Sequence, residues 1–200
     1  MEKLKAFHNN PKIKAKYVAR VKAHQKDDEI IQGKYWENGK GCAVGCTIHG
    51  SSHDDYPKEL GISWRLALIE DSLFERLKNG EAKKFPLQFL QAVKVGSDTE
   101  LVYKKFVIWV LGDKKTGLVN VLKDKEKVDL LKRILELYKK SLKTEITQSE
   151  WKKLADEAYP ASASTYASAY AYASKEWQDI FDKRILQMRD KLLELLRKAK

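Results

Sequence analysis

Helical periodicity is the feature that most restricts the fold of this 200-residue chain. Apolar residues recur three and four positions apart along most of the sequence, as at Leu66, Ile69 and Leu73, and this spacing places them on one side of an α-helix. Gly and Pro number only 10 and 4, too few for the many turns of a sandwich or barrel. No alternation of strands with helices is present. The sequence therefore predicts an all-α fold, a compact domain of roughly seven to nine helices.

Local residue patterns place several helix ends. Asn10 followed by Pro11 predicts the start of a first helix that runs to about Ile30. A short helix is expected over 42–49, after a turn at Asn38 and Gly39. Three further helix starts are predicted: Pro86 in a first turn, and the capping boxes Ser97–Glu100 and Thr147–Glu150.

The last 50 residues differ in composition from the rest. We expect one domain over 1–200, with a core at 1–145 and an Ala/Ser/Tyr-rich helical segment at 147–200 packed on it. Aromatic residues in this segment repeat at intervals of seven and four, which is typical of one long helix packed across a core. The same stripe would suit a second copy of the helix, giving a homodimer, or a platform on which bases stack. The stripe consists of Tyr159, Tyr166, Tyr170, Trp177 and Phe181, or Ile180 in place of Phe181.

Positive charge is concentrated in two stretches. The net charge is +11; residues 1–26 carry +7 and residues 114–143 carry +6, so the remainder is close to neutral. Such surfaces bind nucleic acid, a nucleotide or an acidic host protein, although a solvated lysine face has the same composition. Lysine far outnumbers arginine, which predicts phosphate contacts with little base discrimination. The candidate binding residues are Lys12, Lys16 and Arg20 in the first stretch and Lys123, Lys132 and Arg133 in the second.

Apolar runs and cysteines bear on the location of the chain. The longest unbroken apolar run, Phe106–Leu111, is far shorter than a membrane helix. Residues 1–10 lack the apolar centre of a signal peptide. The 2 cysteines cannot form a disulfide framework. The sequence therefore predicts no membrane partner and a cytoplasmic location.

Two cysteines and two histidines form the pattern that could carry chemistry. Cys42, Cys46, His49 and His53 lie at i, i+4, i+7 and i+11, within about 60° of one another on a continuous helix. Over that length the rise is about 16 Å, so one ion could contact only some of them. The sequence requires no cofactor, but a zinc ion held by part of this set is one hypothesis. Glu70, inside an apolar helix face, is a candidate carboxylate partner.

Two other interpretations of these residues remain open. Cys42 at a helix start could be a nucleophile, with His49 or His53 as the base and Glu70 or Asp71 orienting that base. Alternatively, the cysteines are buried structural thiols and the histidines have ordinary hydrogen-bond partners. The spacing does not decide between a metal, a nucleophile and a structural role.

The string Tyr-Trp-Glu-Asn-Gly-Lys-Gly-Cys-Ala-Val-Gly-Cys-Thr at 35–47 resembles an uncharacterised protein family of phages and bacteria. That family shares the Gly-Lys-Gly-Cys-Ala-Val-Gly-Cys-Thr motif, a following histidine, an element like Ile69-Glu70-Asp71, and an Ala/Ser-rich C-terminal helix. The resemblance implies a phage or mobile-element setting in a bacterial cytoplasm, and no particular chemistry.

Charge, motif and resemblance together favour a non-enzymatic binding protein. We expect an accessory protein that acts on a host protein, a nucleotide or nucleic acid through a basic surface. The alternative is a small hydrolase or transferase that uses a Cys–His or zinc centre.

Overall fold

The structure, a computed structural model, describes residues 4–158 and 175–200. It confirms the all-α fold, with one two-stranded hairpin among the described residues. The elements, in chain order, are a 3-10 helix (Ala6–Asn9), α1 (Pro11–Lys26), β1 (Trp36–Glu37), β2 (Lys40–Gly41), α2 (Ala43–Ile48), α3 (Asp55–Leu60), α4 (Trp64–Phe74), α5 (Asn79–Ala92), α6 (Thr99–Gly112), α7 (Leu118–Val121), α8 (Lys125–Lys140), α9 (148–158 as described) and α10 (Lys175–Lys198).

The chain forms two compact units. The first comprises Met1–Tyr103 and Asp182–Lys200, and the second comprises Lys104–Phe181. The first unit thus joins the N-terminal half to the C-terminal end of the chain, whereas the sequence analysis places a boundary near 146. The prediction of one domain over 1–200 stays a prediction.

The first unit has an apolar core to which the C-terminal helix contributes. Helix α1 packs against α5 and α2, and α4 packs against α2 and α5. From α10, Leu192 and Leu196 are completely buried, and the backbone N–H of Asp98 donates to the carbonyl of Lys200 at 3.0 Å. The predicted packing of the C-terminal helix is therefore confirmed for its last four turns. The largest aromatic side chains in this core are Phe7, Tyr56, Phe74, Phe85 and Phe89.

The second unit is built on α7, α8 and α9. The rings of Tyr138 on α8 and Trp151 on α9 lie 4.9 Å apart. The predicted capping box that begins α9 is confirmed. The N–H of Glu150 donates to Thr147 Oγ1 at 3.2 Å, and the N–H of Thr147 donates to Glu150 Oε2 at 2.9 Å.

Three predicted helix ends differ from the structure. Helix α1 begins as predicted, with Asn10 accepting from the N–H of Lys12, but it ends at Lys26, because Asp28 adopts a left-handed conformation with φ of 56°. Pro86 lies inside α5 rather than in its first turn. Asp98, not Ser97, accepts the hydrogen bond that begins α6, from the N–H of Leu101 at 2.9 Å.

The aromatic stripe is only partly described. Tyr159, Tyr166 and Tyr170 lie outside the described residues, as does the side chain of Trp177. Ile180 and Phe181 are 55% and 50% exposed, so the prediction that the stripe is buried is wrong at this end. None of the helices formed by the described residues combines the length and apolar character that a membrane crossing requires.

Candidate functional site

Gly45 lets the β1–β2 hairpin lie directly on α2, and Gly41 lets the two sides of the hairpin approach each other closely. A Cβ atom on Gly45 would stand 1.5 Å from the carbonyl oxygen of Tyr35, and one on Gly41 would stand 2.1 Å from the same oxygen. The N–H of Cys42 also donates to the carbonyl of Lys34 at 2.7 Å. At the hairpin tip, Asn38 and Gly39 have φ of 51° and 82°, which confirms the predicted turn. The Gly-x-x-x-Gly spacing of the motif therefore serves close backbone contact.

Cys42 lies in a cluster with two carboxylates, Asp71 and Glu75. One ligand atom from each of these three residues lies within 4.8 Å of the other two. Cys42 precedes the first turn of α2, and Asp71 and Glu75 are four residues apart at the end of α4. We call these three residues the Cys42 cluster.

Two further side chains border the Cys42 cluster. His53 Nε2 lies 3.2 Å from Asp71 Oδ2, and the half-exposed ring of Tyr35 contacts the His53 ring edge-on at a centroid distance of 5.8 Å. Asp71, burial, Cys42 and Glu75 all raise the pKa of the Tyr35 hydroxyl. Tyr35 therefore borders the cluster through its ring contact with His53.

Glu70 does not extend to solvent; it lies completely buried beside the cluster. Tyr56 donates to its Oε2 at 2.9 Å, while its Oε1 has no hydrogen-bond partner among the described residues. Burial raises the pKa of the Glu70 carboxyl well above its ordinary value, and the neighbouring Asp71 raises it further. Glu70 thus keeps its proton more readily than an exposed glutamate.

Cys46 and His49 face away from the Cys42 cluster. The Cys46 thiol donates to the carbonyl of Gly41 at a distance of 3.3 Å. His49 ends α2 in a left-handed conformation, with φ of 54°. The structure therefore brings Cys42, His53 and Glu70 into one region and separates Cys46 and His49 from it.

His49 belongs to a second polar group, at the end of α1. Its Nε2 lies 2.8 Å from Nε2 of His24, and its ring stacks on Trp36 at 4.4 Å. Nδ1 of His24 lies 2.6 Å from Glu29 Oε2. Because an ionised carboxylate only accepts, His24 Nδ1 donates to Glu29, and a neutral His24 accepts from His49 through Nε2.

The protonation of both thiols bears on the nucleophile hypothesis. Burial raises the pKa of the Cys42 thiol to about 12, with a further contribution from Asp71. Burial likewise raises the pKa of the Cys46 thiol to about 12. Neither thiol has a histidine as hydrogen-bond partner in residues 4–158 and 175–200. Both cysteines are therefore protonated near neutral pH, and the attacking species in thiol chemistry is the thiolate.

Five of the six lysines and arginines of α1 form a continuous solvent-facing arc, and the sixth, Lys14, donates to the carbonyls of Gln91 and Val93 instead. At roughly 100° per residue, five cations span about 160° of the helix surface, opposite Tyr17 and Val21. The helix contains no acidic residue. Arg20, at one edge, donates to the carbonyl of Thr47 at 2.8 Å. The arc consists of Lys22, Lys26, Lys12, Lys16 and Arg20.

The basic residues of the second unit are interspersed with acids. Arg133 pairs with Glu157 at 2.5 Å, and Lys132 lies 3.7 Å from Asp129. Lys123 is exposed and precedes α8. By contrast, Lys12, Lys16, Lys22 and Lys26 are exposed and form no ion pair with any residue that the structure describes. The α1 arc therefore presents more uncompensated charge than α8 does.

Comparison of the chain with protein-family models, with curated proteins and with solved structures found no match. The resemblance based on 35–47 therefore stays a prediction.

Sequence reasoning missed several members of these groups. The i, i+4 spacing of Asp71 and Glu75 on a predicted helix was a usable indication that both carboxylates share a face. No comparable indication existed for Glu29 or Trp36, because their contacts with His24 and His49 join separate elements.

His49 predicts a dependence of stability on pH. Partial burial lowers the pKa of His49 below its ordinary value of 6.5, and Arg20 and His24 lower it further. As the pH falls, the unfolded chain therefore protonates His49 at a higher pH than the folded chain does. The contribution of His49 to the stability of the fold is complete above pH 6.5 and is lost as the pH decreases towards the pKa of the folded state. His49→Asn removes the titrating group and keeps a residue that tolerates the left-handed conformation. Urea denaturation at pH 8 and pH 5 should show a smaller loss of stability in the variant; an equal loss would contradict the prediction.

Proposed function

We propose that this protein binds the backbone of nucleic acid through the basic arc of α1. The observation that carries the proposal is the set of four exposed lysines, unpaired among the described residues, on a helix without acidic residues. From Lys12 to Lys26 the arc extends about 21 Å along the helix axis. A nucleic acid presents phosphates at regular short intervals over such a length, which suits cations spread along one helix face better than the irregular surface of an acidic protein.

Lysine in place of arginine determines the kind of recognition. An ammonium group contacts phosphate as a point charge, whereas arginine reads guanine and phosphate with paired hydrogen bonds. Arg20, the single arginine of the arc, is already engaged with Thr47 and with the Tyr17 ring. Binding is therefore expected to be sensitive to salt and to discriminate little between sequences.

The proposal also includes the biological setting of the protein. An accessory protein of a phage or mobile element, acting in a bacterial cytoplasm, is supported by the resemblance at 35–47 alone. A hydrolase or transferase with a Cys–His centre is not proposed, because both thiols are protonated and neither contacts a histidine among the described residues.

Binding is tested with mixed-sequence DNA and RNA oligonucleotides at about 50 and 200 mM salt. The triple variant Lys12→Ala, Lys16→Ala, Lys26→Ala should bind more weakly at the lower salt. Its plot of log affinity against log salt should be less steep by about 2 to 3 units, because each lost phosphate contact removes about 0.7 to 0.9.

A matched variant separates the two basic surfaces. Lys123→Ala, Lys132→Ala, Lys139→Ala removes the same charge from the second unit and should leave affinity close to that of the unmodified protein. If this variant loses the binding and the α1 variant does not, the surface is wrongly assigned. If the unmodified protein does not bind at the lower salt, nucleic acid is not the partner.

A further inference from the structure

The Cys42 cluster contains more groups that attract a cation than groups that carry positive charge. Asp71 and Glu75 supply two carboxylates and Cys42 a thiol. Facing them, His53 contacts Asp71 at 3.2 Å, and the backbone N–H of Gly33 donates to Glu75 at 2.9 Å. Within 4–158 and 175–200, neither carboxylate forms an ion pair with lysine or arginine.

Unpartnered carboxylate oxygens are a separate observation at the same place. Asp71 Oδ1 is enclosed and accepts no hydrogen bond from the residues that the structure describes. The next residue, Glu70, is completely buried and also has an unpartnered oxygen, Oε1. Buried polar atoms without partners are uncommon and mark a missing water, proton or ion. Here they adjoin a thiol and an imidazole, which are metal-ligating groups.

We propose that Cys42, Asp71 and Glu75 bind a zinc ion, and that His53 positions Asp71 through their hydrogen bond. This set differs from the pattern read from the sequence: it keeps Cys42 and replaces Cys46, His49 and His53 with the two carboxylates at the end of α4. One sulfur and two oxygen ligands, with a water molecule in the fourth position, match the tetrahedral preference of zinc. A thiolate ligand disfavours Mg²⁺ and Ca²⁺, which prefer oxygen alone.

The geometry is compatible with one ion after a small movement. Zinc–ligand bonds of about 2.0 to 2.3 Å place ligand atoms roughly 3 to 4 Å apart. The ligand atoms of the Cys42 cluster lie within 4.8 Å of one another, so binding requires these atoms to approach one another by up to about 2 Å. Glu75 is exposed and Tyr35 is 48% exposed, which leaves a path from solvent to the cluster.

Zinc would connect two parts of the first unit. Cys42 precedes α2, and Asp71 and Glu75 lie at the C-terminal end of α4. Binding requires loss of the Cys42 proton, so affinity should rise with pH. Zinc would stabilise the folded protein by an amount that increases with the ratio of the free zinc concentration to the dissociation constant of the site.

The experiment uses the full chain after chelator treatment and removal of the chelator, titrated with Zn²⁺ or Co²⁺ alone. We expect one equivalent of Zn²⁺ and a thiolate-to-cobalt charge-transfer absorption with Co²⁺. Cys42→Ser should abolish that absorption. Glu75→Gln changes an exposed residue, and circular dichroism should show that the fold is intact. The variant should bind Zn²⁺ more weakly by at least roughly 10- to 100-fold, which is the usual effect of losing a residue that supports a metal ligand.

Two matched variants distinguish this site from other zinc binding. Cys46→Ser alters the other buried thiol of the chain, which lies outside the Cys42 cluster, and should keep the stoichiometry and the cobalt absorption. Glu37→Gln alters an exposed carboxylate on the hairpin and should keep the affinity. The proposal is overturned if the folded protein binds less than one equivalent, if Cys46→Ser abolishes the absorption as Cys42→Ser does, or if Glu75→Gln binds as tightly as the unmodified protein.

Discussion

Replacing Gly45 with alanine is expected to lower the free energy of unfolding by about 1 to 3 kcal/mol or more, the range for an atom forced into a packed site. The new Cβ would stand 1.5 Å from the carbonyl oxygen of Tyr35 and 2.6 Å from its carbonyl carbon. Both atoms are backbone, so no side-chain rotation can relieve the contact. The hairpin must move away from α2, and the Tyr35 and Trp36 side chains move with it. Chemical denaturation followed by circular dichroism measures the loss.

Gly80→Ala is the matched control for this prediction. A Cβ at Gly80 meets no atom within 4 Å, and Gly80 lies in the first turn of α5. Because alanine is the better helix former by up to about 1 kcal/mol, this variant should be as stable as the unmodified protein or more stable. Equal stability of the Gly45→Ala variant and the unmodified protein would show that the hairpin does not press on α2 as described.

Leu192→Ala should destabilise the first unit by about 2 to 5 kcal/mol, the usual cost of removing a buried leucine side chain. Leu192 is 0% exposed and belongs to the part of α10 that completes the core formed by the N-terminal half. The cost combines the lost burial of apolar surface with the cavity that remains. Urea denaturation of the full chain provides the comparison.

Leu186→Ala makes the same substitution on the same helix at a side chain that is 38% exposed. Its cost should be clearly smaller than that of Leu192→Ala, because less buried surface is removed and solvent fills the space. If both substitutions lowered the free energy of unfolding by similar amounts, α10 would not bury the face that carries Leu192.

Much of the secondary structure could be predicted because its causes are local. Asn10 with Pro11, and Thr147 with Glu150, begin their helices as expected since a cap and the amide it accepts from lie within three residues. The Asn38–Gly39 turn depends on two residues that tolerate positive φ. Prediction failed at Ser97 because its hydroxyl donates to the carbonyl of Lys94, while Asp98 accepts from the N–H of Leu101. It failed at Pro86 because a helix can continue past a proline when packing supports it.

The Cys42 region shows what residue spacing can predict and what it cannot. A continuous helix would have aligned Cys42, Cys46, His49 and His53, but α2 ends after Ile48, and His49 turns the chain through a left-handed conformation. His53 is thereby directed to Asp71, and His49 to His24. Residues that a continuous helix would place on one face are separated when the helix is short and ends at a residue with positive φ.

The sequence by itself determined the all-α class, the Asn38–Gly39 turn, the excess of lysine on the first helix and the presence of metal-ligating residue types, since each depends on composition or on neighbours a few residues away. Only the tertiary structure decided which of these side chains meet. The contacts of Cys42 with Asp71 and Glu75, of His24 with His49, and of Arg189 with Glu81 join elements that are far apart in the chain. Such contacts follow from the packing of helices around a shared core, and single-sequence periodicity specifies which face of a helix is buried but not which helix covers it.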